Sequence, residues 1–324
     1  MAETLTVRVT EREIQGAEVV VLTLASPDGA PLPSFSAGAH IDLHLGDGIV
    51  RQYSLCGSAH HPQRYRLGIL KDRASRGGSL AAHALQPGDE VQISPPRNLF
   101  ALEMSAPHSI LIGGGIGITP MLAMADTLFR AGKSFEVHYC GHSREGMAFL
   151  AELADCHFSA QVQLHISDEN GRIRPQELLT PHAAAGHLYV CGPEGFMAWI
   201  NETAQGCGFS AERLHQEYFN REVETSGDSF EVAVPELNLS VTVGENETIV
   251  AALQKAGIKV KVSCQQGVCG TCLANVCSGE PDHRDEYLTE EEREDNDQDQ
   301  ILLCCSRAKT PRLVIEGFEY VKLK

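Results

Sequence analysis

Between Ser263 and Cys272 the chain reads Ser-Cys-Gln-Gln-Gly-Val-Cys-Gly-Thr-Cys, which sets Cys264, Cys269 and Cys272 in a C-x4-C-x2-C spacing. Thiolates are soft anionic ligands suited to iron–sulfur clusters. The spacing is that of plant-type [2Fe–2S] sites, which take a fourth cysteine from further along the chain. Cys304, in Leu302-Leu303-Cys304-Cys305-Ser306, is available for that place. Gly267, Gly270 and Thr271 are small, and glycine permits the torsions that turn backbone N–H groups toward cluster sulfurs. A zinc site or a disulfide framework competes with this reading. Zinc knuckles, however, pair two short C-x2-C units, and here the first gap is four residues. A cluster of this kind moves one electron at a time, so the rest of the chain must bring electrons to it and take them away.

Three other stretches have the residue types for that task. In Arg51-Gln52-Tyr53-Ser54-Leu55, Arg51 offers a fork of donors to a phosphate, Tyr53 a flat face for a ring, and Ser54 a hydroxyl. Ser75-Arg76-Gly77-Gly78-Ser79 opens what reads as a short helix, where backbone N–H groups and the positive helix end favour an anion. Gly113-Gly114-Gly115-Ile116-Gly117-Ile118-Thr119-Pro120 follows an apolar strand and precedes a helix. From Gly115 it reads G-x-G-x-x-P rather than G-x-G-x-x-G, yet its low bulk at a strand-to-helix turn leaves room for a pyrophosphate. Each stretch also has a plainer reading, a strand with a surface arginine or a tight turn.

The elements that must position these residues fall into three blocks. From Leu5 to about Leu102 short strands alternate with turns such as Pro27-Asp28-Gly29 and Pro87-Gly88-Asp89, which predicts a small antiparallel barrel. In the middle, strands over 109–112, 135–140, 161–166 and 187–190 alternate with helices over 121–130, 146–155 and 194–205. Such alternation predicts a parallel doubly wound sheet whose ligands lie at the strands' carboxyl ends. The Gly-rich turn and Cys191-Gly192-Pro193 both fall there. After a polar linker at 224–229, strands over 230–234 and 237–243 predict a hairpin, and Thr248 caps a helix over 249–256 that Gly257 ends.

Composition narrows the function. The chain has 324 residues and a formal charge of −17, which disfavours nucleic acid and suits a partner with a basic patch. No run of eighteen apolar residues and no apolar stretch behind a basic N-terminus predicts either a membrane span or a signal peptide. Eleven cysteines then point to metal or redox use in a reducing cytoplasm. The acidic stretch 280–299 reads either as a solvated surface or as a docking face beside the cluster.

Taken in order, the Arg51–Leu55 strand, the Ser75–Ser79 loop, the Gly114–Pro120 turn, Cys191-Gly192-Pro193-Glu194-Gly195-Phe196-Met197 and the cysteine loop form one set. The set resembles the phthalate dioxygenase reductase family, single-chain reductases of Rieske oxygenases that include vanillate demethylase reductases. The resemblance implies a multidomain fold: an antiparallel β-barrel FMN domain (1–103), an α/β doubly wound NAD domain (104–224) and an α+β, β-grasp ferredoxin domain (230–324). It implies FMN held by Arg51, Gln52, Tyr53 and Ser54, with Ser54 near the flavin N5, and Gly78 and Ser79 at the phosphate. It places Gly115, Thr119 and Pro120 along the dinucleotide, Cys191 facing the nicotinamide and Phe219 over the flavin. Cys264, Cys269, Cys272 and Cys304 would ligate the cluster, with Cys305 a spare buried thiol and Cys277 a small core residue. A flavin takes a hydride and releases electrons singly, so NADH, FMN and the [2Fe–2S] cluster form a chain ending at a Rieske non-haem iron oxygenase that docks near the cluster domain. Plant-type clusters sit near about −400 mV, so that delivery is downhill. A monomer is expected. Two other readings stand beside this one: an FAD-dependent reductase feeding a diiron hydroxylase, and a one-electron carrier or redox sensor.

The nucleotide is read at Asp168. Asp168 and Glu169 follow the strand ending at Ile166, and an acidic pair there repels the 2′-phosphate of NADP. Asp168 beside Asn170-Gly171 also reads as a turn former, and Arg144, Arg172 and Arg174 lie close in sequence. The family resemblance implies NADH.

Overall fold

Strand-forming and helix-forming runs sort into two compact units, Met1–Phe219 and Asn220–Lys324, in the computed structural model. It describes residues 4–46, 49–61, 63–72, 75, 77–169, 171–219, 223–262, 265–268, 270–285, 287–288, 292–293 and 299–323.

The first unit opens with six strands, β1 (Leu5–Gln15), β2 (Val19–Ala25), β3 (His40–His44), β4 (Val50–Ser54), β5 (Tyr65–Leu70) and β6 (Glu90–Ile93), with helix α1 (Gly78–Ala84) before β6. They form one antiparallel sheet in the order β4-β3-β6-β1-β2-β5. Its two ends meet where Leu55 bridges Leu67 and the Cys56 N–H donates to the Arg66 carbonyl over 2.9 Å. Val7, Leu22, Ile41, Leu55 and Leu67 fill the barrel.

Five strands follow: β7 (Ser109–Gly114), β8 (Phe135–Gly141), β9 (Val162–Ile166), β10 (His187–Cys191) and β11 (Leu214–Glu217). All are parallel, in the order β11-β10-β7-β8-β9. The order reverses between β7 and β10, which opens the crevice that doubly wound sheets use for ligands. Helices α2 (Ile118–Arg130), α3 (Leu150–Asp155), α4 (Pro175–Leu179) and α5 (Glu194–Cys207) make the crossovers. Pro120 falls in the first turn of α2, where its missing N–H costs nothing, and Gly132 ends that helix region at φ 63°.

One expected helix is much shorter than its sequence suggests. Residues 144–146 form a 3-10 turn, and α3 starts only at Leu150, because Phe149 takes a left-handed φ of 63°. Packing imposes that conformation. The Phe149 ring is buried with the Arg66 guanidinium 5.4 Å above it, and a Cβ on Gly68 would come within 2.8 Å of its Cζ. Gly68 thus leaves the space that lets Phe149 of the parallel sheet press onto β5 of the barrel.

The second unit contains β12 (Phe230–Val234), β13 (Leu239–Val243), α6 (Ile249–Lys255), β14 (Ile258–Val260), β15 (Leu273–Ser278), β16 (Pro281–Asp282), β17 (Gln300–Leu302), β18 (Arg307–Ala308), β19 (Arg312–Glu316) and β20 (Tyr320–Lys322). Its main sheet runs β13-β12-β19-β15-β17, with β12 and β19 parallel and α6 packed on it, a β-grasp arrangement as expected. Thr248 caps α6, its hydroxyl accepting the Ala251 N–H over 3.1 Å. Cys277 departs from expectation. It is exposed rather than in the core, because the pairing of β15 with β19 shifts between Val276 and Ser278 and leaves Cys277 as the extra, outward residue of a bulge.

The stretch 224–229 is bonded to this unit. Arg307, 2% exposed, donates from Nη1 to the carbonyls of Thr225 (2.7 Å) and Glu247 (2.6 Å) and from Nη2 to those of Gly227, Asp228 and Gly244 (3.2, 3.0 and 2.9 Å). Its guanidinium also lies 5.1 Å from the Phe230 ring centroid. Replacing it leaves five part-buried carbonyls without this donor, and an unsatisfied buried group costs about 1–3 kcal/mol. Arg307→Met should therefore destabilise the second unit by about 3 kcal/mol or more. Urea unfolding of the full chain checks this; a variant within 1 kcal/mol of wild type would show that the five bonds are dispensable.

Candidate functional site

Two turns at the switch point come into direct backbone contact. The Gly-rich run leaves β7 as a 3-10 turn, Gly115–Gly117, before α2 begins. A Cβ on Gly117 would lie 2.2 Å from the Cys191 carbonyl oxygen, and one on Gly114 would strike Phe196 and Pro193. Only glycine permits that approach. Gly115 takes φ 56° and has open space where its Cβ would be, so the run presents bare backbone to the crevice. Thr119 and Pro120 are buried instead. Thr119 donates its hydroxyl to the Ile116 carbonyl over 2.9 Å and turns its methyl toward Gly68.

Register aligns the strand ends across the crevice, with Gly113 opposite Cys191 and Cys191 opposite Glu217. The Cys191 thiol is fully buried; burial and then the neighbouring Glu217 carboxylate hold its pKa well above the ordinary thiol value, so it is a neutral thiol. Glu217 accepts a hydrogen bond from the Ser54 hydroxyl over 3.0 Å, which joins the end of barrel strand β4 to the end of β11. Burial of the carboxyl group pushes its pKa up to about 7, against the Ser54 hydroxyl, which lowers it. Sequence reasoning missed Glu217. No local signal marks it; only the register of three parallel strands and the barrel contact bring it beside Cys191 and Ser54. Phe219, two residues on, packs partly buried against the core between barrel and sheet.

A second focus gathers the other barrel residues. The Arg51 side chain lies so close to Gly78 that a Cβ there would come within 2.5 Å of Arg51 Cγ and 2.6 Å of Nε. Arg51 Nη1 donates to the Val50 carbonyl over 2.8 Å, and the Ser79 hydroxyl accepts the Asp72 N–H over 3.1 Å. The arginine and the Gly78–Ser79 loop, separate in sequence, thus share one spot as expected. Tyr53 packs on the barrel core, and burial raises its hydroxyl pKa to about 12. Gln52 Nε2 sits 3.2 Å from His40 Nε2.

Asp168 is exposed beyond the end of β9, its N–H donating to the His142 carbonyl over 3.2 Å. Arg144 pairs with Glu169, Nε to Oε1 at 2.8 Å. In the second unit, Cys272 and Cys304 are 2% and 4% exposed in the same core. Cys264 and Cys269 lie outside the described residues. Gly267 and Gly270 take φ 75° and 70°, and Cβ atoms there would strike Cys305 Sγ and the Tyr287 ring. Cys305 is 1% exposed, packed against the loop at Gly267.

These surroundings fit the groups that the motifs imply. A cationic fork against a glycine cradle suits a phosphate, bare backbone at a switch point suits a pyrophosphate, and buried thiols beside positive-φ glycines suit an iron–sulfur cluster.

Comparison with known proteins agrees. The 2Fe-2S iron-sulfur cluster binding domain family matches residues 234–309 and the oxidoreductase NAD-binding domain family residues 111–202. The vanillate O-demethylase oxidoreductase of Pseudomonas sp. is 45% identical over 304 residues, 92% of this chain and 95% of that one. The chain belongs to the phthalate dioxygenase reductase family. The solved structure of phthalate dioxygenase reductase, described as a modular structure for electron transfer from pyridine nucleotides to [2Fe-2S], superposes with a TM-score of 0.72 at 33% identity, covering 97% of this chain and 98% of that one. An intact type IV self-sufficient cytochrome P450 monooxygenase gives 0.84 at 36% identity; 97% of this chain corresponds to 41% of that one. The family makes this chain a flavin- and iron–sulfur-dependent oxidoreductase that takes its electrons from a nicotinamide dinucleotide. Among the described residues no helix is long and apolar enough to cross a membrane.

Glu217 supplies a test of the site's electrostatics. Its folded-state pKa of about 7 lies above the ordinary 4.5, so ionising it costs the folded state stability as pH rises through that window. Glu217→Gln removes the cost. Its unfolding free energy in urea should exceed that of wild type by a margin that grows between pH 5 and 7 and then levels, up to about 3 kcal/mol. A pH-independent difference would mean that the carboxyl titrates normally.

Proposed function

We propose that this chain is the NADH-dependent reductase of a Rieske-type oxygenase or demethylase, moving electrons from NADH through FMN to a [2Fe–2S] cluster and on to a separate oxygenase. The observation that carries the reading is the full-length likeness to vanillate O-demethylase oxidoreductase and phthalate dioxygenase reductase, joined to a switch-point crevice, a phosphate cradle and a thiol-bearing glycine loop. When bound, a flavin accepts the two electrons of a hydride together and yields them singly, at the rate a one-electron cluster accepts them.

The protein's part is to bind, orient and hold protons. Arg51 grips the flavin phosphate, with Gly78 and Ser79 closing the cradle and Tyr53 and Gln52 lining the strand beside it. Ser54 would hold its hydroxyl near the flavin N5, and Glu217, protonated in about half the molecules near pH 7, steadies that hydroxyl by accepting its hydrogen bond when ionised. The Gly115–Gly117 backbone takes the dinucleotide pyrophosphate, Thr119 and Pro120 set its turn, and Cys191 and Phe219 bound the nicotinamide. Cys264, Cys269, Cys272 and Cys304 hold the cluster. We divide the chain into domains at 1–103, 104–224 and 230–324, and read it as a cytoplasmic monomer whose oxygenase docks at the cluster domain. The likeness to a self-sufficient P450 favours a second reading, a haem oxygenase as acceptor.

Stopped-flow absorption tests the proposal. NADH should bleach the flavin and then the cluster bands, and the reduced protein should pass electrons to a purified Rieske oxygenase faster than to a P450; the reverse order would replace the first reading by the second. Cys304→Ala should abolish the cluster's absorption and cytochrome c reduction while leaving flavin reduction intact. If Cys305→Ala does this instead, the fourth ligand is Cys305.

Nucleotide choice follows from the end of β9. Asp168 would read the ribose diol of NADH, and Arg144 is already paired with Glu169, whose charge disfavours a 2′-phosphate beside it. Wild type should show a higher kcat/KM for NADH than for NADPH, and Asp168→Ala should narrow the gap about tenfold, since a hydrogen bond to a charged group contributes about 1.5–3 kcal/mol. Preference for NADPH in wild type would overturn this assignment.

A further inference from the structure

At the amino ends of β7 and β8, the edge of the sheet opposite the crevice, side chains from three separate segments converge. His108 precedes β7, Glu136 is the second residue of β8, and His182 closes the 3-10 turn Thr180–His182. Glu136 Oε1 lies 3.7 Å from His108 Nε2 and 3.5 Å from His182 Nε2. One ligand atom from each residue fits within a 4.8 Å spread. The other Glu136 oxygen, Oε2, lies 3.5 Å from Nε2 of His138, a residue with 0% exposure whose Nδ1 sits 2.9 Å from His165 Nε2.

The three distances to the Glu136 oxygens exceed the usual hydrogen-bond range of about 2.7–3.2 Å. Glu136 Oε1, His108 Nε2 and His138 Nε2 are buried with no hydrogen-bond partner among the described residues. Buried polar atoms ordinarily find partners, and Glu136 Oε1 and His108 Nε2, two of the converging atoms, face each other without one and ask for a shared one.

We propose that His108, Glu136 and His182 form a binding site for a divalent transition-metal ion, best suited to zinc, with His138 and His165 orienting the carboxylate from behind. Two imidazoles and one carboxylate are a zinc donor set, and ligands at about 2.0–2.1 Å in a tetrahedron stand about 3.4 Å apart, close to the two separations observed. The His108 and His182 rings are stacked at 4.1 Å and 10°, so ligation requires the His182 ring to swing from parallel toward the shared point. The ion would clip the turn before β10 to the edge of β7 and β8. Its place at the amino ends of the strands keeps it out of the electron path.

The test uses the full-length holoprotein, stripped of adventitious metal with a mild chelator and equilibrated with micromolar zinc chloride. Elemental analysis reads zinc and iron together. Wild type should bind a single zinc ion with its iron unchanged. His182→Asn, on a surface turn, and Glu136→Gln should each weaken zinc binding by about 100-fold or more, beyond what loss of an orienting group alone costs. His165→Asn should change it by only a few fold. Zinc should raise the thermal unfolding temperature of wild type and not of His182→Asn, with flavin and iron contents certifying that the variants are folded. Zinc uptake that survives both substitutions would assign the ion to thiols elsewhere and overturn the site, as would a wild-type protein that takes up none.

Discussion

The approach of Gly117 to the Cys191 carbonyl is the contact on which the first unit's chemistry depends. Two turns leaving neighbouring parallel strands touch backbone to backbone, and no side chain fits between them. That contact keeps the ends of β7 and β10 at one level, so Gly113, Cys191 and Glu217 stand in a row. It also leaves open space beside Gly115. A single Cβ at residue 117 would part the turns and dissolve both the row and the cradle.

The barrel is tied to this row from the other side. Ser54 reaches Glu217, while Gly68 leaves a gap that Phe149 and the Thr119 methyl fill. Arg66 covers the Phe149 ring and pairs with Glu152 at 2.7 Å, and Ser58 bonds Asp126 at 2.6 Å. Polar bonds and one apolar plug thus share a single interface. The plug requires a phenylalanine at positive φ, which is uncommon for a bulky residue and persists because the surrounding packing leaves it no alternative. The proton chemistry of Glu217 is a product of the same interface: the carboxyl group is enclosed by the meeting of barrel and sheet, and its pKa rises accordingly.

The second unit answers a different demand. A loop that must accept a cluster needs rigid neighbours to hold it. Arg307 stiffens this unit by satisfying five carbonyls from two segments, 225–228 and 244–247, with one planar fork. Gly267 and Gly270 let the loop pass against Cys305 and Tyr287, where any larger residue would collide.

Much of this was legible in the sequence because its signals are local. Cysteine spacing, glycine runs after apolar strands, strand–helix alternation and the cap at Thr248 each depend on a few adjacent residues; they specified the fold class and, through the family they resemble, the cofactor set, and they named candidate residues for the site. Where partners are distant in sequence, local pattern had nothing to report. The helix expected from residue 146 is cut back by a phenylalanine held in a left-handed conformation from across the barrel interface, and Cys277 faces solvent because a bulge in its pairing with β19 turns it outward. Glu217 acquires its raised pKa only from burial, which exists once distant stretches of the chain pack together. Residue type sets which chemistry is available; burial and register, which exist only in the folded chain, decide which groups meet and in what protonation state.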